Sequence, residues 1–199
     1  MGSKRGGMTL QELRAQQDSD PVYQAMRSGR DAELAAIKEQ RSREQQPLLK
    51  DLAAAGVIVD WVGRLCSIPD PDERIYPVLL DHLTRPYSPW LLEWIGRAFG
   101  LKTARAIVWD TLVKLIKSHS LADSAVEGAM VAISDMAKAR DLATLIDLVF
   151  DTSLGSSRIY LVRNLMRSKR PEARAALLRH LDDPDLSKEI KARLARSRG

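Results

Sequence analysis

The 199-residue sequence predicts an all-α protein built from stacked helix pairs, an α-solenoid. Three observations carry that expectation. The phrase Trp61-Val62-Gly63-Arg64-Leu65-Cys66 returns 33 residues later as Trp94-Ile95-Gly96-Arg97-Ala98-Phe99. The doublets Leu79-Leu80, Leu112-Val113, Leu145-Ile146 and Leu177-Leu178 recur at intervals of 33, 33 and 32. No alternating Val/Ile/Thr/Tyr run is bounded by hairpin turns, so strand signals are absent. A helix pair alone would leave an apolar face wet, so neighbouring pairs must stack and the stack is the core.

Residues 1–8 read as a disordered tail or a cloning remnant, with Met8 as the natural start. Residues 9–46 form an N-terminal helical extension that caps the array. Within it a short helix is expected from Thr9 to about Gln17. Ser19-Asp20-Pro21 then supplies the cap and first-turn proline of a second helix, which Gly29 is expected to stop after Ser28. A third, polar helix is expected over 31–45, with Leu34 and Ile37 at helical spacing.

Residues 47–199 are the repeat array. Helices begin at a proline or capping residue, run some 10–15 residues and stop at a short break. The expected pairs are 47–55 with 59–67, 72–83 with 88–99, and 103–118 with 123–139. Two more follow, 141–150 with 156–168 and 171–181 with 185–197. Apolar residues recur every three or four positions inside them, as in Val108, Leu112 and Leu115.

Composition narrows the function classes. The longest uncharged stretch, 52–59, has eight residues, far below the ~20 of a membrane-spanning helix. The basic start at Lys4-Arg5 lacks the apolar core of a secretory signal. Gly6 stands where a myristoylation motif needs Ser or Thr. A lone Cys66 excludes an internal disulfide and fits a reducing compartment, so a cytoplasmic location is expected. The net charge is +5, yet 156–199 carries twelve Lys/Arg against five acids. That basic end suits either an anion-facing element or the charged outer face that terminal repeats require.

The period also suits tetratricopeptide and ankyrin repeats, but neither signature is present. Residues 172–197, EARAALLRHLDDPDLSKEIKARLARS, resemble the HEAT-like repeat of the short bacterial type, also found in phycobilisome lyases. A Leu-rich first helix leads to Asp182-Asp183-Pro184-Asp185, where Pro184 ends one helix and Asp185 can cap the next. Thr84-Arg85-Pro86-Tyr87 and Thr152-Ser153-Leu154-Gly155 depart from that acidic turn. The resemblance covers about 47–197. It implies a right-handed α-solenoid of about five HEAT-like helix pairs, with the second helices lining a concave face.

On that face the 33-residue phase places Arg64, Arg97, Met130, Arg163 and Arg196 at equivalent positions, a row able to grip carboxylates or phosphates. The alternative is a solvated stripe paired with acids of adjacent repeats. Trp90, Trp94 and Tyr87 cluster with Arg97, and Tyr160 lies near Arg163, the composition of interface hot spots. Trp94, matched by Trp61, is expected to pack between repeats, leaving Trp90 as the surface candidate. The partner-binding set is therefore Arg64, Trp90, Trp94, Arg97, Met130, Tyr160, Arg163 and Arg167.

No catalytic constellation, metal site or cofactor motif emerges. His82, His119 and His180 end first helices, where imidazoles can meet the last carbonyls. Cys66 is expected to be a buried small hydrophobe. The sequence therefore predicts a non-enzymatic recognition module with a protein partner and no membrane contact. The alternative is a nucleic-acid-binding protein or a HEAT-like DNA glycosylase with a basic groove. There Glu93, Asp123 or Glu127 would have to act beside Trp90 and Trp94. A bilin-handling lyase or maturation factor is a third reading, implied by the family alone. A continuous positive groove would favour nucleic acid, and a mixed apolar and charged one would favour protein.

Overall fold

The computed structural model describes residues 8–69 and 71–196. Among them every regular element is helical and no strand occurs. The chain divides into one unit ending at Arg43 and a second starting at Glu44. The tail expected over 1–8 lies, apart from Met8, outside the described residues, as do residues 197–199.

The first unit holds α1 (Leu10–Ser19) and most of α2 (Pro21–Glu44). A reciprocal capping box starts α1: Glu12 N–H donates to Thr9 Oγ1, and Thr9 N–H donates to Glu12 Oε2. Asp20 Oδ1 accepts from the N–H groups of Val22 and Tyr23, and Pro21 fills the first position of α2. Gly29 does not stop that helix, so the two helices expected over 21–45 are one. A helical glycine costs about 1 kcal/mol against alanine, too little to end a run that Ala, Glu, Lys and Arg sustain on both sides. No residue of α1 or α2 is buried.

The second unit carries α3 (Gln46–Ala54), α4 (Ile75–Leu83), α5 (Pro89–Arg97), α6 (Arg105–Lys117), α7 (Asp123–Met136), α8 (Leu142–Phe150), α9 (Ile159–Arg167), α10 (Pro171–Arg179) and α11 (Ser187–Arg196). The helix expected over 59–67 is instead a 3₁₀ segment, Val62–Ser67. The β-branched run Val57-Ile58-Val59 resists helix entry, and Trp61 is extended at φ −158°, ψ 154°. At the other end Pro69 holds Ile68 extended. One repeated phrase thus folds in two ways.

Packing follows chain order. Helix α4 lies on α5, α6 on α7 and α8 on α9, while α5, α7, α9 and α11 contact one another in succession. Leu79, Leu112, Leu145 and Leu177 are all buried, as their register requires, whereas Leu178 is exposed. The closest crossing is α5 on α7. A Cβ on Gly128 would lie 2.2 Å from the Glu93 carbonyl oxygen, and one on Gly96 would lie 2.6 Å from the Ala129 nitrogen. Only glycine lets two backbones come this near.

Arg158 counts toward the basic C-terminal charge in the sequence, yet it is 1% exposed. Its Nη1 donates to the Val149 carbonyl and to Asp183 Oδ2 at 2.8 Å, and its Nη2 donates to Asp185 Oδ2 at 3.0 Å. Asp183 also accepts the backbone N–H groups of Asp185 and Leu186. The Asp-Pro-Asp turn is therefore a carboxylate socket for a buried guanidinium as well as a helix junction.

Candidate functional site

The face presented by the second helices is built from alternating acids, arginines and rings. On α5, Glu93 and Arg97 pair at 2.7 Å, one turn apart. On α7, Glu127 accepts from Tyr160 Oη at 2.6 Å, and Asp135 accepts from Arg163 Nη2 at 2.7 Å, joining α7 to α9. On α11, Arg193 pairs with Glu189. The Arg97 guanidinium stands 6.0 Å from the Tyr160 ring centre. Arg97, Asp135, Tyr160, Arg163, Glu189 and Arg193 border a hollow of about 410 Å³ with Val131, Ser134 and Ile159. A neighbouring hollow of about 220 Å³ joins Cys66, Trp94, Arg97 and Val131.

Polar contacts beneath this face hold it in register. Ser134 Oγ sits 2.7 Å from Asn164 Oδ1, and Asn164 Nδ2 donates to the Ser134 carbonyl at 2.8 Å. Partial burial works against the charge of Arg97, but its bond to Glu93 and the charges of Glu93, Tyr160 and Glu127 together outweigh that and lift its pKa above the ordinary arginine value. Burial first, and then the bond to Glu127, push the Tyr160 phenol up.

The predicted set does not stay together. Arg97, Tyr160 and Arg163 share the larger hollow, and Trp94 borders the smaller one. Trp94 also meets Trp61 edge to face at 5.0 Å, the expected packing between equivalent positions. Trp90 is half-buried against the core and borders neither hollow. Arg64 pairs with Asp60 at 3.6 Å and stands outside both. Met130 is a correction: it is fully buried and cannot meet a partner. Val131 takes the facing position, one residue beyond the one that the 33-residue phase assigned. Arg193 likewise stands where the phase placed Arg196. Arg167 borders a separate hollow beyond the C-terminal end of α7.

The remaining singled-out residues have local roles. His180 Nδ1 lies 2.8 Å from the Ala176 carbonyl, as expected for a helix end. His82, at the equivalent place, instead lies 2.9 Å from Asp51 and 2.8 Å from Tyr87 Oη. His119 adopts φ 52° after α6 and lies 3.2 Å from Ser153 Oγ. Cys66 is exposed rather than buried, although the surrounding protein pushes its thiol up. Glu93, Glu127 and Asp123 do not converge, since Asp123 borders another hollow beside His119. Among the described residues no group of three metal-ligating side chains occurs, and no helix is long and apolar enough to cross a membrane.

The i,i+4 pairs Glu93/Arg97 and Glu189/Arg193 were detectable from spacing alone, whereas Asp135–Arg163 and Glu127–Tyr160 exist only once α7 and α9 are side by side. No protein-family model, no curated protein and no solved structure matches this chain.

Proposed function

We propose that the second unit is a right-handed α-solenoid of about five HEAT-like helix pairs whose second-helix face recognises a protein. The succession α5, α7, α9, α11 and the burial of the repeated leucines support the architecture. Arg97, Arg163 and Arg193 of that face are paired with acids of the same chain, the alternative stated for the arginine row, so the row itself offers no free guanidinium to a partner. One observation carries the function: these ion pairs are interleaved with Trp94, Val131 and Tyr160. A phosphate backbone needs unneutralised cations, because counterion release drives its binding. A mixed face of rings, arginines and aliphatics has the composition of a protein-binding surface.

Two measurements test this. A photo-crosslinking residue at Val131 should capture a protein in the native host, and one at exposed Lys114 on α6 should not. In anisotropy titrations, duplex and single-stranded DNA should bind weakly at low salt and not at about 150 mM, where surface charges are screened beyond ~8 Å. Sub-micromolar DNA binding under those conditions, abolished by Arg97→Ala with Arg163→Ala, would overturn the proposal.

A further inference from the structure

Two groups of cations in the second unit contrast. Arg97, Arg163 and Arg193 of the second-helix face are paired, as described. Lys102, Lys138, Arg140, Arg167 and Lys169 make no ion pair among the described residues, although all are exposed. They stand along the edge where α7 and α9 end and α6 and α10 begin.

Two hollows open at that edge, and Lys138 borders both. The larger, about 500 Å³, has Ala137, Leu142 and Leu145 among its walls, with the unpaired Lys138, Arg167 and Lys169 around them and Arg170, which pairs with Glu172, beside them; no acid lines it. The smaller, about 260 Å³, is bordered by Lys102, Arg105, Trp109 and Arg140, with Asp110 as its single acid. Arg105 is buried, pairs with Asp141 at 2.7 Å and stacks over Trp109 at 4.1 Å. Its Nη1 is buried with no acceptor.

We infer that this edge binds an acidic peptide segment that inserts one apolar side chain. Aliphatic walls ringed by unpaired cations match an apolar residue flanked by carboxylates. The larger hollow lies within the size range of pockets that enclose a ligand. Single-stranded nucleic acid fits less well, because sequence-tolerant binding stacks bases on exposed aromatic rings: the larger hollow has none, and Trp109 at the smaller one is buried beneath Arg105. The site is distinct from the second-helix face, so either can fail without the other.

Fluorescence anisotropy on the full chain tests it, with a labelled peptide Glu-Glu-Asp-Leu-Asp-Glu-Glu at about 150 mM salt. The peptide should bind saturably. Lys138→Glu with Arg167→Glu should weaken it about tenfold or more, roughly 1.4 kcal/mol. Lys138→Gln with Arg167→Gln should act in the same direction and less. Both residues are exposed, so circular dichroism should be unchanged. Alanine in place of the peptide leucine should weaken binding several-fold, while Arg97→Ala with Arg163→Ala should leave it within about twofold. Each expectation is set by one buried apolar side chain or two exposed charges. Absence of saturable binding, an equal loss in the Arg97/Arg163 variant, or tighter binding of an oligothymidine of matched charge would overturn the assignment.

Discussion

Helix α2 is 24 residues long and buries none of them, whereas α7 is 14 residues long and buries nine. The longer helix is made of strong helix formers, opens on a capped Asp20-Pro21 and carries a Glu39–Arg43 pair one turn apart. The shorter one contains Gly, Val, Ile and Ser, poorer helix formers, and its N-cap Ala122 gives no side-chain bond. Local sequence is therefore enough to hold α2, and tertiary packing holds α7. Two of the residues that make α7 a mediocre helix join it to its neighbours: Gly128 lets α5 approach, and Ser134 bonds to Tyr160 and Asn164 of α9. Helix formation and burial are separate properties, and equivalent substitutions in the two helices should have unequal effects.

Arginines give the largest expected contrast. Arg158→Ala, which leaves Asp183 without its cation, should destabilise the second unit by about 3–5 kcal/mol in urea denaturation. Arg43→Ala removes an exposed pair in α2 and should cost no more than about 0.5 kcal/mol. The first effect should depend on pH. Burial tends to raise the Asp183 carboxyl, but Arg158 and the two backbone N–H groups outweigh it and hold it below its ordinary value. A depressed carboxylate stabilises the fold above its unfolded pKa of about 3.9 and loses that contribution as pH falls through the lower folded value. The gap between wild type and Arg158→Ala should therefore be full at neutral pH and shrink below about pH 4. A gap that widened in acid would contradict the socket.

Leucines come next. Leu145→Ala leaves a cavity between packed helices and should cost about 2–5 kcal/mol. Leu34→Ala in α2 removes a side chain that is 54% exposed and should stay within about 0.5 kcal/mol. Equal losses would mean that α2 is buried in solution.

The leucine register was legible because a repeated apolar position has one physical meaning, burial. The arginine register was less so. A phase of 33 put Met130 toward the partner, yet one additional residue of helix rotates a side chain by about 100° and brings Val131 there instead. The Trp-x-Gly-Arg phrase was legible as a repeat but not as structure, because Pro69 and the Val57–Val59 run decide how its first copy folds. Gly63 and Gly96 look equivalent and do different work. The first makes room for the Trp61 ring, and the second for the backbone of α7. The pairs between α7 and α9 that neutralise Arg163 and anchor Tyr160 depend on residues 28 and 33 positions away, which no local pattern reports.

The smallest effect is also a change of sign. In an open helix Gly→Ala is stabilising by about 1 kcal/mol, since alanine has less backbone freedom to lose. Gly29 in α2 meets this condition: its φ is negative, and a Cβ there would find no atom within 4 Å. Gly29→Ala should raise helicity and slow amide exchange around 25–33, leaving the melting of the second unit unchanged. Gly128 in α7 is equally helical, but its Cβ would stand 2.2 Å from the Glu93 carbonyl oxygen and 2.9 Å from Gly96 Cα. Neither is the flexible end of a side chain, so α5 and α7 must separate. Gly128→Ala should therefore destabilise by about 1–3 kcal/mol, the usual cost of overpacking. It should also disturb Arg97 and Tyr160, whose meeting depends on the spacing of α5, α7 and α9. If both substitutions stabilised, the crossing of α5 and α7 would be looser than its glycines imply, and the second-helix face would lose its fixed geometry.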